Sequence, residues 1–97
     1  MIKIKDIRKA LQGHKEELKR KYGVSEIGLF GSYVKNEQDE TSDVDILVEF
    51  EKTVDLLTFV NLKNYLSGLL NTNVDLVMKK ALKPGIGQRI LKEVENV

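Results

Sequence analysis

The sequence predicts a two-layer domain of the α/β or α+β class, with a small mixed sheet of three or more strands and helices packed on it. Apolar residues recur at spacings of three and four in several segments, and short β-prone apolar runs lie between them. The predicted order is therefore α-β-α-β-α-β-α. With 97 residues, the chain is expected to form one domain over residues 1–97.

The first predicted helix covers residues 4–22, and Gly23 suits its end because glycine accepts a left-handed backbone. His14 lies on or beside the apolar stripe and is interpreted as a partly buried packing residue. Residues 24–31 are β-prone and end in glycine, which indicates a strand buried on both faces. Residues 33–42 are polar and indicate a short helical turn followed by a loop.

The second predicted strand, residues 43–50, alternates between apolar residues on one face and Asp43 and Asp45 on the other. Residues 54–70 form the next helix. Its apolar residues cover more than one stripe, which fits either a helix wedged between core and partner or burial within the domain, and we favour burial. Residues 73–79 are the third strand, and a last apolar helix follows Pro84.

Composition excludes several classes of function. Lys and Arg total 16 against 15 Asp and Glu, so the chain lacks the basic excess of a dedicated nucleic-acid binder. With no cysteine and one histidine, neither a disulfide framework nor a thiolate or histidine metal site is expected. The charged start lacks a signal-peptide core, and no apolar run approaches about 18 residues. We expect a cytoplasmic protein without direct nucleic-acid or membrane contact.

Two carboxylates mark the start of the second strand. Asp43 and Asp45 project from one face with Cβ atoms about 6–7 Å apart, and such like charges repel unless a cation lies between them. Mg²⁺ suits this role because it binds one or two carboxylates plus substrate phosphates. Asp75 would complete a cluster able to hold two metals if the second and third strands are neighbours. The alternatives are a solvated pair at a strand start, and an edge aspartate that faces solvent or pairs with a lysine.

Gly31 and Ser32 follow the first strand and open the helical turn. Glycine lets the backbone approach a phosphate closely, and a serine hydroxyl adds a donor. Taken alone, the pair fits an ordinary strand exit with a serine N-cap better than a phosphate site.

Together these residues resemble a known signature. Gly31-Ser32, ten residues and then Asp43-Val44-Asp45 match G-S-x10-D-x-D of the DNA polymerase β-like nucleotidyltransferase superfamily. The stretches LFGSYVKNE, SDVDILVEF, VDLVMKKALKP and ILKEVENV resemble its minimal nucleotidyltransferase (MNT) group along nearly the whole chain. The resemblance implies a palm-like nucleotidyltransferase fold. It also implies a HEPN-domain toxin as partner, with the MNT protein as antitoxin, in some pairs by transferring AMP from ATP to a toxin tyrosine.

Carried over to this sequence, the resemblance implies that Gly31 and Ser32 hold the triphosphate, with Lys35 a further phosphate contact. Asp43, Asp45 and Asp75 would be the catalytic and metal-binding residues, holding two Mg²⁺ ions, and Asp75 would help to deprotonate the attacking hydroxyl. Relatives commonly read G-S-x-A-R-G-E, whereas this chain has Lys35 and Asn36 in place of arginine and the second glycine. Lysine keeps the charge but loses the fork, so Lys35 fits a phosphate contact and a solvated surface lysine equally well.

The leading hypothesis is thus a magnesium-dependent nucleotidyltransferase that adenylylates a hydroxyl of a HEPN-type toxin, with tyrosine as the favoured acceptor, and so acts as a type VII-like antitoxin. The alternative is a non-catalytic antitoxin that masks its partner through the apolar helix at residues 54–70. Transfer to a small molecule would need additional substrate-binding structure, and polymerase activity would need thumb and finger elements. Association into a homo-oligomer is possible for so small a core.

Overall fold

The computed structural model describes residues 2–97 of the chain as a mixed α/β fold. This part of the chain contains five α-helices, four strands and one 3₁₀ turn at Lys79–Ala81. The helices are α1 Ile4–Gly13, α2 Lys15–Tyr22, α3 Ser32–Lys35, α4 Leu56–Leu70 and α5 Ile86–Glu93. The strands are β1 Val24–Phe30, β2 Val44–Phe50, β3 Val74–Met78 and β4 Glu95–Asn96. The predicted class is confirmed, and the three predicted strands lie within one residue of their predicted bounds.

The four strands form one mixed sheet in the order β3-β2-β1-β4. β1 is antiparallel to both β2 and β4, whereas β2 and β3 are parallel and are connected through α4. A parallel pair needs such a crossover, and the helix covers the sheet face on which it lies. The second and third strands are thus neighbours in the sheet, which is the condition for Asp75 to lie near Asp45.

One face of the sheet carries the main hydrophobic core. Val44, Ile46 and Val48 of β2 point into it, as their alternation predicts, and meet the buried sides of α1, α2 and α4. The opposite face carries Asp45, Leu47 and Glu49 and lies against α5 and the segment after it. The segment after α5 packs closely on β1 there: a Cβ atom on Gly28 would lie only 2.7 Å from Val94 Cγ2.

The prediction of one continuous first helix is wrong. The helix is interrupted after Gly13 by His14, whose backbone (φ −115°, ψ 9°) is not helical. Glycine is a poor helix former, and α2 resumes the same buried stripe through Leu18 after the break. His14 is half-buried, donates from Nδ1 to the Ala10 carbonyl at 2.7 Å and lies edge-on to Tyr65, so its interpretation as a packing residue is confirmed.

The favoured burial of the wide apolar surface of α4 is also wrong in part. The sheet covers one side of this helix, so only Leu62, Leu66 and Leu70, which recur every four residues, are buried. Three apolar side chains at its start remain exposed to solvent: Leu56 by 76%, Leu57 by 68% and Val60 by 40%. We call these three residues the α4 apolar patch.

Two further details differ from the expectation. Ser25 and Glu26 are exposed, so only the second half of β1 is buried on both faces. Val94 lies just beyond α5 and leads into β4, which was not predicted. None of the helices in residues 2–97 is long and apolar enough to cross a membrane.

Candidate active site

The predicted site residues converge on one edge of the sheet. β1 is antiparallel to β2, and β2 is parallel to β3, so β1 ends at the same edge of the sheet where β2 and β3 begin. The register pairs Phe30 with Asp45, and it pairs Asp45 with Asp75. Gly31, Asp45 and Asp75, which are far apart in the chain, therefore lie next to one another across three strands.

Asp45 is the central carboxylate of this edge. It is half-buried, and burial raises its pKa to about 6, with further contributions from the charges of Asp75 and Asp43, a hydrogen bond with Asp75 and the charge of Glu93. Each of these effects disfavours the ionised form. The site thus concentrates negative charge before any cation or nucleotide is bound.

Asp43 immediately precedes β2 and is exposed. A compact turn delivers it: Asp39 Oδ1 accepts hydrogen bonds from the Thr41 backbone N–H (2.8 Å) and the Thr41 hydroxyl (2.7 Å). The Ser42 hydroxyl in turn accepts from the Asp39 backbone N–H at 2.9 Å. This turn sets the path of the polar loop between α3 and β2, and hence the position of Asp43.

Gly31 is required by both its backbone and its neighbour. Its φ of +77° lies in a region that residues with a side chain rarely adopt. A Cβ atom at this position would lie 2.0 Å from Asp45 Oδ2, far inside contact distance. The absence of a side chain therefore lets the backbone of the Gly31-Ser32 turn lie directly against the Asp45 carboxylate.

The one-turn helix α3 places the other predicted phosphate ligands. Ser32 is half-buried at its first position, and Lys35 is at its last. Asn36 ends the helix with a left-handed backbone (φ 59°), a conformation in which asparagine can replace the glycine common in relatives. Lys35 is 42% exposed, yet its Nζ lies 3.2 Å from Glu93 Oε2, so it is paired and not simply solvated.

Glu93 was not predicted, although it contacts two of the predicted phosphate ligands. It is the last residue of α5, and its Oε1 accepts a hydrogen bond from the Gly31 N–H at 3.2 Å. No local motif connects it to Gly31, which lies 62 positions earlier. The available signal was electrostatic: a glutamate at the C-terminal end of a helix opposes the helix dipole, which suggests a compensating partner elsewhere.

The donor chemistry of the site fits Mg²⁺ in a particular way. Within residues 2–97, no group of three or more Asp, Glu, His or Cys side chains is already arranged around a common metal position. The predicted three-carboxylate cluster is thus not preassembled, although Asp45 and Asp75 are within hydrogen-bonding reach. Magnesium is usually held by one or two carboxylates together with substrate phosphates, so this pair suits an ion that arrives with a nucleotide.

Comparison with known proteins places the chain among nucleotidyltransferases. Over all 97 residues and 98% of the relative's length, the chain is 52% identical to "Protein adenylyltransferase MntA" of Thermococcus cleftensis. A solved structure described as a minimal nucleotidyltransferase superposes with a TM-score of 0.85 at 31% identity, covering 99% of this chain and 97% of that one. A crystal structure described as a toxin-antitoxin with AMP-PNP superposes with a TM-score of 0.72 at 28% identity, covering 88% and 70%.

The match to a described family is equally broad. Residues 11–96 match the family described as "Nucleotidyltransferase domain", a stretch that runs from α1 through β4 and includes every predicted site residue. Together with the full-length relative at 52% identity, this shows the family. The chain belongs to the nucleotidyltransferase domain family.

Proposed function

We propose that this chain is a magnesium-dependent protein adenylyltransferase that transfers AMP from ATP to a tyrosine hydroxyl of a HEPN-type toxin and thereby acts as its antitoxin. The observation that carries the proposal is the strand register, which sets Asp75 beside Asp45 and Asp45 beside the turn that follows β1. The 52% identical adenylyltransferase supports the reaction. The toxin-antitoxin structure with AMP-PNP supports both the nucleotide and the kind of partner.

In this proposal the Gly31-Ser32 turn and Lys35 bind the triphosphate. The Gly31 N–H and the Lys35 ammonium both face the carboxylate of Glu93, which identifies them as donors aimed at one anionic position. Ser32 follows Gly31 directly, and its hydroxyl would supply a third donor in this proposal. Because the bare Gly31 backbone abuts Asp45, a bound triphosphate would lie directly against the acidic edge of the sheet.

Asp43, Asp45 and Asp75 would hold Mg²⁺, which when bound neutralises phosphate charge and stabilises the charge that develops during transfer. Asp75 lies at the outer strand of this edge and is exposed, so it can accept the proton of an incoming tyrosine hydroxyl. The hydroxyl oxygen forms a bond to the α-phosphorus of ATP as the α–β phosphoanhydride bond breaks. Pyrophosphate leaves with the bonding electron pair, and the proton passes to the Asp75 carboxylate.

A second candidate function is masking of the partner without catalysis. The α4 apolar patch favours it, because exposed leucines clustered at the start of a helix suit a protein interface. α4 begins where β2 ends, whereas the acidic site lies where β2 begins, so the patch and the site occupy opposite ends of the strand. A partner could therefore be bound without engaging the aspartates.

The test is AMP transfer to a purified HEPN-type toxin. Purified partner, Mg²⁺ and ATP labelled at the α-phosphate are combined with the wild type, Asp43→Asn or Asp45→Asn. Loss of one metal-binding carboxylate should reduce the rate by at least about a hundredfold, since electrostatic stabilisation at the reacting phosphate supplies much of the rate enhancement in such reactions. Glu16→Gln is the matched control, because Glu16 is an exposed acid on α2, outside the site.

Label on the partner with the wild type and Glu16→Gln, but not with the aspartate variants, would support the adenylyltransferase. Mass spectrometry of the labelled partner would identify the acceptor residue. A stable, unlabelled complex that protects cells equally well with the aspartate variants would instead support masking. Circular dichroism of each variant separates loss of transfer from loss of fold.

A further inference from the structure

Glu93 contacts two of the donors that the proposed function assigns to the triphosphate. Its Oε1 accepts from the Gly31 N–H, and its Oε2 lies 3.2 Å from Lys35 Nζ. A carboxylate presents two negatively charged oxygens, and so do two oxygens of a phosphate group. Both can therefore accept from the same pair of donors. The contact joins two distant parts of the chain, since Glu93 ends α5 and the two donors lie at either end of α3.

The surroundings of Glu93 are unfavourable for its negative charge, apart from the two donors. Its carboxylate is at the C-terminal end of α5, where the partial charge of the helix is negative. It is also close enough to Asp45 for its charge to disfavour ionisation of that residue. With its side chain only 24% exposed, Glu93 has limited compensation from solvent. The two donors are therefore its main favourable electrostatic contacts.

We propose that Glu93 is an internal competitor for the phosphate site, displaced from the Gly31 N–H and Lys35 when a nucleoside triphosphate binds, so that it sets the affinity for nucleotide. This inference rests on the proposed function, in which those groups bind the triphosphate. In this proposal the glutamate side chain rotates away from both donors. In the absence of nucleotide the carboxylate keeps the donors satisfied and lowers the net attraction of the site for anions.

The proposal predicts the effect of neutralising Glu93. Glu93→Gln keeps the size of the side chain but removes the ion pair with Lys35 and one negative charge near the phosphates. Since partly exposed ion pairs contribute up to about a factor of five, and the lost repulsion adds to this, AMP-PNP with Mg²⁺ should bind roughly three- to tenfold more tightly. Isothermal titration calorimetry measures this without any transfer reaction.

Two further variants make the measurement specific. Glu95→Gln is the matched control, because Glu95 lies on the same segment but pairs with Arg8, so its loss should change nucleotide affinity less than about twofold. Lys35→Ala tests the competition itself. If Glu93 and phosphate compete for Lys35, the gain from Glu93→Gln shrinks in the Lys35→Ala background, whereas general charge repulsion would make the two effects additive.

Tighter binding by Glu93→Gln, with non-additivity toward Lys35→Ala, is the expected result. Unchanged or weaker binding would overturn the inference, and weaker binding would show that Glu93 positions the donors. Additive effects would also overturn it. If neither the wild type nor any variant binds AMP-PNP, the proposed nucleotide chemistry fails together with the inference. If Lys35→Ala weakens binding but Glu93→Gln leaves it unchanged, the inference fails alone.

Discussion

At the scale of single residues, the site depends on the direct contact between a backbone and a carboxylate. Gly31 has a positive φ and no side chain, and both properties are needed for its turn to lie against Asp45. The chain contains a natural comparison in Gly23, which has a similar φ of +73° at the end of α2, although a Cβ atom there would meet nothing within 4 Å. The two glycines therefore differ both in ψ, which is 25° at Gly23 and −152° at Gly31, and in contact with the site.

We predict that Gly31→Ala is more damaging than Gly23→Ala. Gly23→Ala imposes a left-handed helical backbone on alanine, which costs about 1–2 kcal/mol, or several degrees in Tm. Gly31→Ala imposes a backbone that essentially only glycine adopts, which costs about 1–3 kcal/mol. Only Gly31→Ala also pushes a methyl group into Asp45, so it should lower Tm further and reduce nucleotide binding by at least about tenfold. Thermal melts and calorimetric titration with AMP-PNP measure both effects. Equal losses in the two variants would show that the contact with Asp45 is unimportant.

The site residues proposed from the sequence are those whose signal is local or lies within one strand. Asp43 and Asp45 follow from a short motif, and Asp75 follows from its position as a lone charge in an apolar strand. Glu93 could not be found in this way, because its role depends on the path by which α5 returns across the sheet. Its contacts with Gly31 and Lys35 are tertiary and leave no periodic pattern.

At the scale of elements, a capping residue defines the start of α4. The apolar residues of this helix cover more than one stripe, so they do not mark its start. Asp55 precedes the helix with an extended backbone, and its Oδ1 accepts a hydrogen bond from the Thr58 N–H at 2.7 Å. This bond satisfies one of the free N–H groups at the helix start. Hydrogen bonds from Thr58 also hold the pKa of Asp55 below its ordinary value, because they favour the ionised form.

We predict that Asp55→Ala lowers Tm and that Asp55→Asn, which keeps a capping oxygen, lowers it less. The folded-state pKa of Asp55 is lowered, so its ionised form stabilises the protein above the unfolded-state pKa near 3.8, and this contribution is lost as the pH falls through the folded-state value. The Tm difference between wild type and Asp55→Ala should therefore be full at neutral pH and narrow in acid. A difference that does not change with pH would contradict this electrostatic account of the cap.

Elements with a strong repeating pattern were predictable, whereas those defined by tertiary contacts were not. β2 and β3 were found because alternation and apolar runs are local properties. β4 has two residues, too few for any period, and exists because Gly28 and Leu29 of β1 pair with it. The break at His14 was missed because Leu11 and Leu18 continue one buried stripe across it.

At the scale of the whole molecule, the fold holds like charges together at some cost to its stability. The core lies on one face of the sheet, and the acidic residues lie on the other, at the edge where three strands meet. The charges of Asp75 and Asp43 both oppose ionisation of Asp45 there in the absence of a cation. Such strain is expected at a functional site, since selection for activity tolerates a local loss of stability.

We predict that Asp45→Asn stabilises the metal-free domain. Removing the central charge relieves repulsion by its neighbours while keeping the shape of the side chain. Allowing for solvent screening of this half-buried group, the gain should be on the order of 1 kcal/mol, or several degrees in Tm for a domain of this size. Thermal melts in EDTA measure it, with Glu16→Gln as a control for loss of a charge outside the site.

The same variant should respond differently to magnesium. Millimolar Mg²⁺ should raise the Tm of the wild type, because a ligand that binds only the folded state stabilises it by mass action. Asp45→Asn should lose most of this increase, so the difference between the two Tm values narrows or reverses from EDTA to magnesium. If the variant is destabilised in EDTA, the aspartate is a structural residue of the sheet edge. If both proteins respond equally to magnesium, the cation is held elsewhere, and the assignment of this edge as the metal site is wrong.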